Sequence, residues 1–115
     1  MKTLVVVLLL SIGVLSPGLA QEPVVVEARF QVAGVCGMCK SRIEKALKIK
    51  EVKYVKWDKK SKELFVAYLS PSITVDSLKQ RVAAVGHDTD TYKAPDAVYS
   101  ALPECCLYRG GAEAH

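Results

Sequence analysis

FQVAGVCGMCKSRIEKAL, residues 30–47, decides the fold. Its first residues end an alternating run in which Val26, Ala28, Phe30 and Val32 are apolar and Glu27, Arg29 and Gln31 are polar. A period of two marks a half-buried strand, because successive side chains leave opposite faces of the pleat. Ala33-Gly34-Val35 ends that run, and two cysteines follow at Cys36 and Cys39. The period then lengthens. Cys39, Ile43, Ala46 and Leu47 recur on one helical face, and Lys40, Arg42, Glu44, Lys45 and Lys48 fill the remainder. The stretch predicts a strand, a short loop and an amphipathic helix starting near Cys39, with both thiols at the junction.

Downstream, Val52, Val55 and Trp57 suggest a second strand, and Leu64, Val66 and Tyr68 a third, with the polar turn Asp58-Lys59-Lys60-Ser61 between them. Ser70-Pro71-Ser72 breaks the chain. Thr74 is placed to cap a second helix, with Asp76 in its first turn and Ile73 and Leu78 at the positions of a hydrophobic staple. Val75, Leu78, Val82 and Val85 form its apolar face, and Gly86 suits its end. Residues 87–93 read as a weak fourth strand. The expected order is β-α-β-β-α-β. That is an α+β, ferredoxin-like arrangement: a four-stranded antiparallel sheet with two helices on one face, followed by a short C-terminal extension. A short helix is expected at Asp96–Leu102, ended by Pro103.

Upstream, Met1-Lys2 precedes the apolar run Leu4–Leu10, which Ile12, Val14 and Leu15 extend. Ser16-Pro17-Gly18 interrupts it, and Gly18-Leu19-Ala20 has the small-x-small form of a cleavage site. The run falls short of the roughly 20 residues that span a bilayer. Residues 1–20 are therefore expected to be a secretory signal, leaving no stable membrane span after cleavage. The expected domains are 1–20 signal peptide, 24–94 metal-binding domain and 95–115 cysteine-containing tail. The expected location is outside the cytoplasm, periplasmic or extracellular.

The chain's 115 residues suit one small domain. Without residues 1–20 it carries 15 basic and 12 acidic residues, mixed along its length. That balance argues against nucleic acid, which selects a concentrated basic face. The lysines recurring from Lys45 to Lys62 read first as a solvated face and second as a docking surface for an acidic partner. No general acid–base pair, nucleophile–base constellation or phosphate-binding glycine loop is present in the sequence, so the chain reads as a non-enzyme.

The chemistry concentrates at Cys36-Gly37-Met38-Cys39. Thiols at the start of a helix meet unpaired N–H groups and a partial positive charge, which favour the thiolate. Thiolates select soft ions. A pair suits a linear ion such as Cu(I), the favoured cargo, or Hg(II). Zn(II) usually takes four ligands, and Zn(II) or Cd(II) would need further donors. Met38 is expected to point inward and pack.

The strand ending Phe30-Gln31-Val32-Ala33-Gly34, the Cys-x-x-Cys and the helix Arg42-Ile43-Glu44-Lys45-Ala46-Leu47 resemble the heavy-metal-associated domain. Val52, Val55, Val66-Ala67-Tyr68 and Val85-Gly86 are similar too, so the resemblance spans roughly residues 24–93. That family includes copper metallochaperones, modules of P-type ATPases and periplasmic mercury-binding proteins. The resemblance implies a ferredoxin-like fold, Cys36 and Cys39 as metal ligands, and as partner a metal-transporting membrane protein or another metal-binding domain. Two features differ. Gly34-Val35-Cys36 is one residue shorter than the family's Gly-Met-Thr-Cys, and His87 stands where the family often has an aromatic residue. By that resemblance His87 lies near the metal loop, as a third ligand or a proton-dependent gate; a solvent-facing loop histidine is the plainer expectation.

The tail adds Cys105 and Cys106. They are candidate extra ligands if the tail folds back over the site; otherwise they form a disulfide with each other or with Cys36 or Cys39, or one is buried against the sheet. A thiol–disulfide oxidoreductase is the competing function, because Cys-x-x-Cys at a helix start is also a redox signature. A metal-dependent adaptor or sensor is the third.

Overall fold

The computed structural model describes residues 22–111, so the expected signal at 1–20 lies outside the described residues. Strand β1 is Val24–Gln31, helix α1 Gly37–Ala46, β2 Val52–Trp57, β3 Glu63–Ser70, helix α2 Val75–Ala84 and helix α3 Asp96–Ser100. Two single 3-10 turns follow at Glu104–Cys106 and Tyr108–Gly110.

The sheet is antiparallel in the order β1-β3-β2. The central strand β3 is the most buried, with Leu64, Val66, Ala67 and Tyr68 all inside. Phe30, Leu64, Val66 and Tyr68 share one core with Ile43 and Leu47 of the α1 segment and Leu78 and Val82 of α2. The opposite face stays open: Tyr54 and Phe65 pack edge to face there, and Arg29 lies over the Phe65 ring.

Local chemistry explains the ends. Asp58 accepts from the backbone N–H groups of Lys60 and Ser61, at 2.8 and 2.9 Å, which closes the β2–β3 turn. Thr74 Oγ1 accepts from Ser77 N at 3.2 Å, the cap expected from the sequence. Gly86 ends α2 with φ of +110°, a conformation in which a side chain would be strained.

The expected four-stranded sheet is corrected to three strands among the described residues. Residues 87–93 meet the end of β1 through an isolated Val32–Thr89 bridge and the backbone bonds Ala33 N to Asp88 O and Asp90 N to Gln31 O, not through a continuous ladder. Thr89 N donates to Tyr92 O, and Thr89 Oγ1 accepts from Tyr92 N, so the segment turns on itself before a ladder can form. Among the described residues no helix is long and apolar enough to cross a membrane.

Candidate metal centre

The loop between β1 and α1 is held by hydrogen bonds at Val32, Ala33 and Gly34. Val32 N donates to Lys62 O, Ala33 N to Asp88 O, and Lys62 Nζ to Gly34 O at 2.6 Å. Trp57 lies fully buried beneath it and donates Nε1–H to Val32 O at 3.0 Å. Gly34 must be glycine for this approach, since a Cβ there would stand 2.9 Å from the indole ring. From that platform the chain enters α1 with Cys36 at the N-cap, in extended conformation. Cys39, Ile43 and Leu47 then face the core at intervals of one turn. One thiol precedes the helix and the other lies in its first turn, which directs both sulfurs toward the helix N-terminus.

The four cysteines meet there. Cys36 Sγ lies 3.5 Å from Cys39 Sγ, 3.3 Å from Cys105 Sγ and 3.5 Å from Cys106 Sγ. Cys105 and Cys106 Sγ are 3.8 Å apart. Cys36, Cys39 and Cys106 are buried and offer sulfurs all within 4.8 Å of one another, so this donor set fits a thiophilic ion.

Burial works against a Cys36 thiolate. The Cys39 backbone N–H and the thiols of Cys105, Cys106 and Cys39 outweigh it and bring the Cys36 thiol down to about 6. Cys105 and Cys106 move the opposite way. Hydrogen bonding to Cys36, then burial, pushes Cys105 up; burial, then hydrogen bonding to Cys39, pushes Cys106 up against the pull of Arg42. Negative charge in the cluster is therefore favoured at Cys36 over Cys105 and Cys106.

Arg42 Nη1 donates to Cys106 Sγ at 3.4 Å. Its helical period alone marks Arg42 as a polar residue of α1; its spacing of three from Cys39 is the signal that puts it on the thiol side. Met38 is corrected: it is 54% exposed, on the flank of α1 that carries Arg42 and Lys45, and its Sδ accepts from Cys105 at 3.5 Å. His87 is corrected as well. It is fully buried rather than solvent-facing, stacked on Tyr108, with Nδ1 2.8 Å from Ala33 O. A carbonyl only accepts, so Nδ1 carries the proton and Nε2 is left without a partner. Desolvation lowers its pKa and keeps the ring neutral. His87 braces the loop but is not in the group of mutually close ligand atoms.

The tail is latched to the domain by Tyr108 and Arg109. Tyr108 OH donates to Gly86 O at 2.6 Å and accepts from Asp88 N at 2.8 Å. Arg109 grips Asp88 with two nitrogens, at 2.9 and 3.2 Å, and also donates to Asp96 Oδ1 and Ala94 O. Its guanidinium stands 4.1 Å from the Tyr99 ring centre. Burial alone would raise the Asp88 carboxyl, but Arg109 and the Ala94 N–H hold it below the usual carboxylate range. A depressed folded-state pKa adds stability that is complete above the unfolded value, about 3.9, and is lost as pH falls through the folded value. Thermal melts of the metal-free protein from pH 6 downward should therefore lose stability below about pH 4. Asp88→Asn should lower the melting temperature at pH 6 and flatten the acid limb; an unchanged limb would remove Asp88 from the account.

No protein-family model matches the sequence, and no curated protein does. Solved structures share its fold. A CopZ metallochaperone is 27% identical with a TM-score of 0.53, the match covering 56% of this chain and 98% of that one. The N-terminal soluble domains of Bacillus subtilis CopA are 31% identical with a TM-score of 0.52, covering 57% and 46% respectively. A ZiaAN variant solved by NMR is 27% identical with a TM-score of 0.51, covering 63% and 100%. These neighbours bear out the resemblance to heavy-metal-associated domains. Nearly the whole of CopZ is matched by little more than half of this chain, so the remainder has no counterpart in it.

Proposed function

We propose that this chain, whose fold and Cys-x-x-Cys resemble those of the heavy-metal-associated domains, is an exported protein that binds Cu(I) or a similar thiophilic ion through Cys36 and Cys39 and acts as a metal carrier or scavenger. The observation that carries the reading is the pair of buried sulfurs Cys36 Sγ and Cys39 Sγ, 3.5 Å apart at the start of α1. A thiolate on a helix N-terminus is the form that takes a soft metal. Hg(II), Zn(II) and Cd(II) share that chemistry. The leader-like residues 1–20 support a periplasmic or extracellular setting. The metallochaperone description of the CopZ neighbour supports carriage rather than catalysis.

The partner is a metal-transporting membrane protein or another metal-binding domain. Lys56, Lys59 and Lys60 line a shallow cavity together with Gly37 of the Cys-x-x-Cys, Asp58, and Lys40, which is paired with Glu44; the lysine excess there suits an acidic acceptor.

Metal-free protein prepared anaerobically should take a single Cu(I) per chain in competition with a chromophoric chelator. Intact mass of the exported product should lack residues 1–20. Absence of Cu(I) uptake, with turnover as a disulfide reductase instead, would replace this reading by the oxidoreductase one.

A further inference from the structure

The tail has its own architecture. Pro103 leads into a 3-10 turn that contains both Cys105 and Cys106, and Cys106 is fully buried against Cys36, Cys39 and Arg42. Leu102 packs onto Gly86, and Tyr108 and Arg109 fasten the next turn to the end of α2 and the following loop. A tail that only covered a two-thiol site would need one apolar side chain there, not two adjacent thiols.

The sulfur spacing can be compared with what ions require. Four sulfurs about 2.3 Å from one ion stand about 3.8 Å apart in a tetrahedron, whereas a linear pair stands about 4.6 Å apart. Four of the six Sγ separations, at 3.3, 3.5, 3.5 and 3.8 Å, are on the scale of the tetrahedron; Cys39 and Cys106 lie within 4.8 Å of each other, and Cys105, held beside Cys36 and Cys106, stands farther than that from Cys39 and closes on it when the ion binds. Four thiolates around a divalent ion leave a net negative charge. Arg42 on Cys106 and the N-terminus of α1 are placed to offset it.

We propose that residues 103–111 are a thiolate clasp: Cys106 and Cys105 join Cys36 and Cys39 as ligands of the same ion, and Tyr108 and Arg109 hold the clasp shut. The proposal rests on the soft-metal reading of Cys36 and Cys39 and extends it. On ligation each thiol gives its proton to solvent. The site then accepts Cd(II) and Zn(II) in tetrahedral geometry. Hand-over to a partner's cysteine pair requires the tail to lift, so the protein retains its ion and acts as a scavenger rather than a shuttle.

The test uses the full chain, reduced and loaded with Cd(II), with the cadmium X-ray absorption edge and 113Cd NMR as readouts. Four sulfurs are expected around the ion in the wild type, falling to two in the Cys105→Ser/Cys106→Ser double variant. Two sulfurs in the wild type would overturn the clasp and leave the Cys36–Cys39 reading standing; protein that takes up neither Cd(II) nor Cu(I) would overturn both. Should the double variant fail to fold, the wild-type sulfur count still decides. Arg109→Ala should keep four sulfurs but surrender the ion to a competing chelator at least about tenfold faster; an unchanged rate would remove Arg109 from the latch.

Discussion

Replacing Cys36 or Cys39 by serine is expected to abolish tight Cu(I) binding. A structural zinc site with four ligands contributes about 10–16 kcal/mol, or roughly 2.5–4 kcal/mol for each ligand, and 1.4 kcal/mol is tenfold in affinity. Each single substitution should therefore weaken binding by at least about two to three orders of magnitude. Cys36 should be the more sensitive, because its thiol is the one brought down to about 6 and the one that lies within 3.5 Å of all three other sulfurs. The measurement is competition against a chromophoric Cu(I) chelator, with circular dichroism to show that each variant keeps its fold. Affinities within about tenfold of wild type for both variants would refute the assignment.

Trp57→Ala should be the most destabilising single change in the described domain. The indole is fully buried, its Nε1–H bonds Val32 O, and its ring lies against Gly34. Truncation leaves a cavity and strands the Val32 carbonyl at the loop that carries the thiols. Losses of about 3–5 kcal/mol are usual for buried Trp or Phe cut to Ala, against a total of about 5–15 kcal/mol for a domain. Urea unfolding of the metal-free protein followed by circular dichroism should show the midpoint falling sharply with an unchanged slope. The variant should also bind metal more weakly, since the platform under Cys36 loosens. A loss below about 1 kcal/mol would mean the loop is held by its backbone bonds alone.

The strand–loop–helix unit around Cys36 and Cys39 was legible because its signals are local. A period of two gives way to a period near 3.6 within a few residues, and the thiols fall where it changes. The second helix was legible for the same reason: Thr74 caps it and Gly86 ends it by conformations those residues favour. The fourth strand was not, because Thr89 spends its hydrogen bonds on Tyr92 instead of on a ladder with β1, a competition that short polar side chains make hard to read. Met38 and His87 were misplaced because apolarity and loop position do not say which flank of a helix, or which side of a loop, the rest of the chain will cover.

What the sequence determined by itself was the element order as far as α2 and a pair of thiols at a helix start, since spacing along the chain sets both. What only the tertiary structure decided was the meeting of Cys105 and Cys106 with Cys36, separated by 69 and 70 residues, and the facing of Arg42 onto that cluster. No local period encodes that meeting. It depends on Leu102 seating against Gly86 and on Tyr108 and Arg109 finding Gly86 O and Asp88, contacts that exist only after the sheet and both helices have packed.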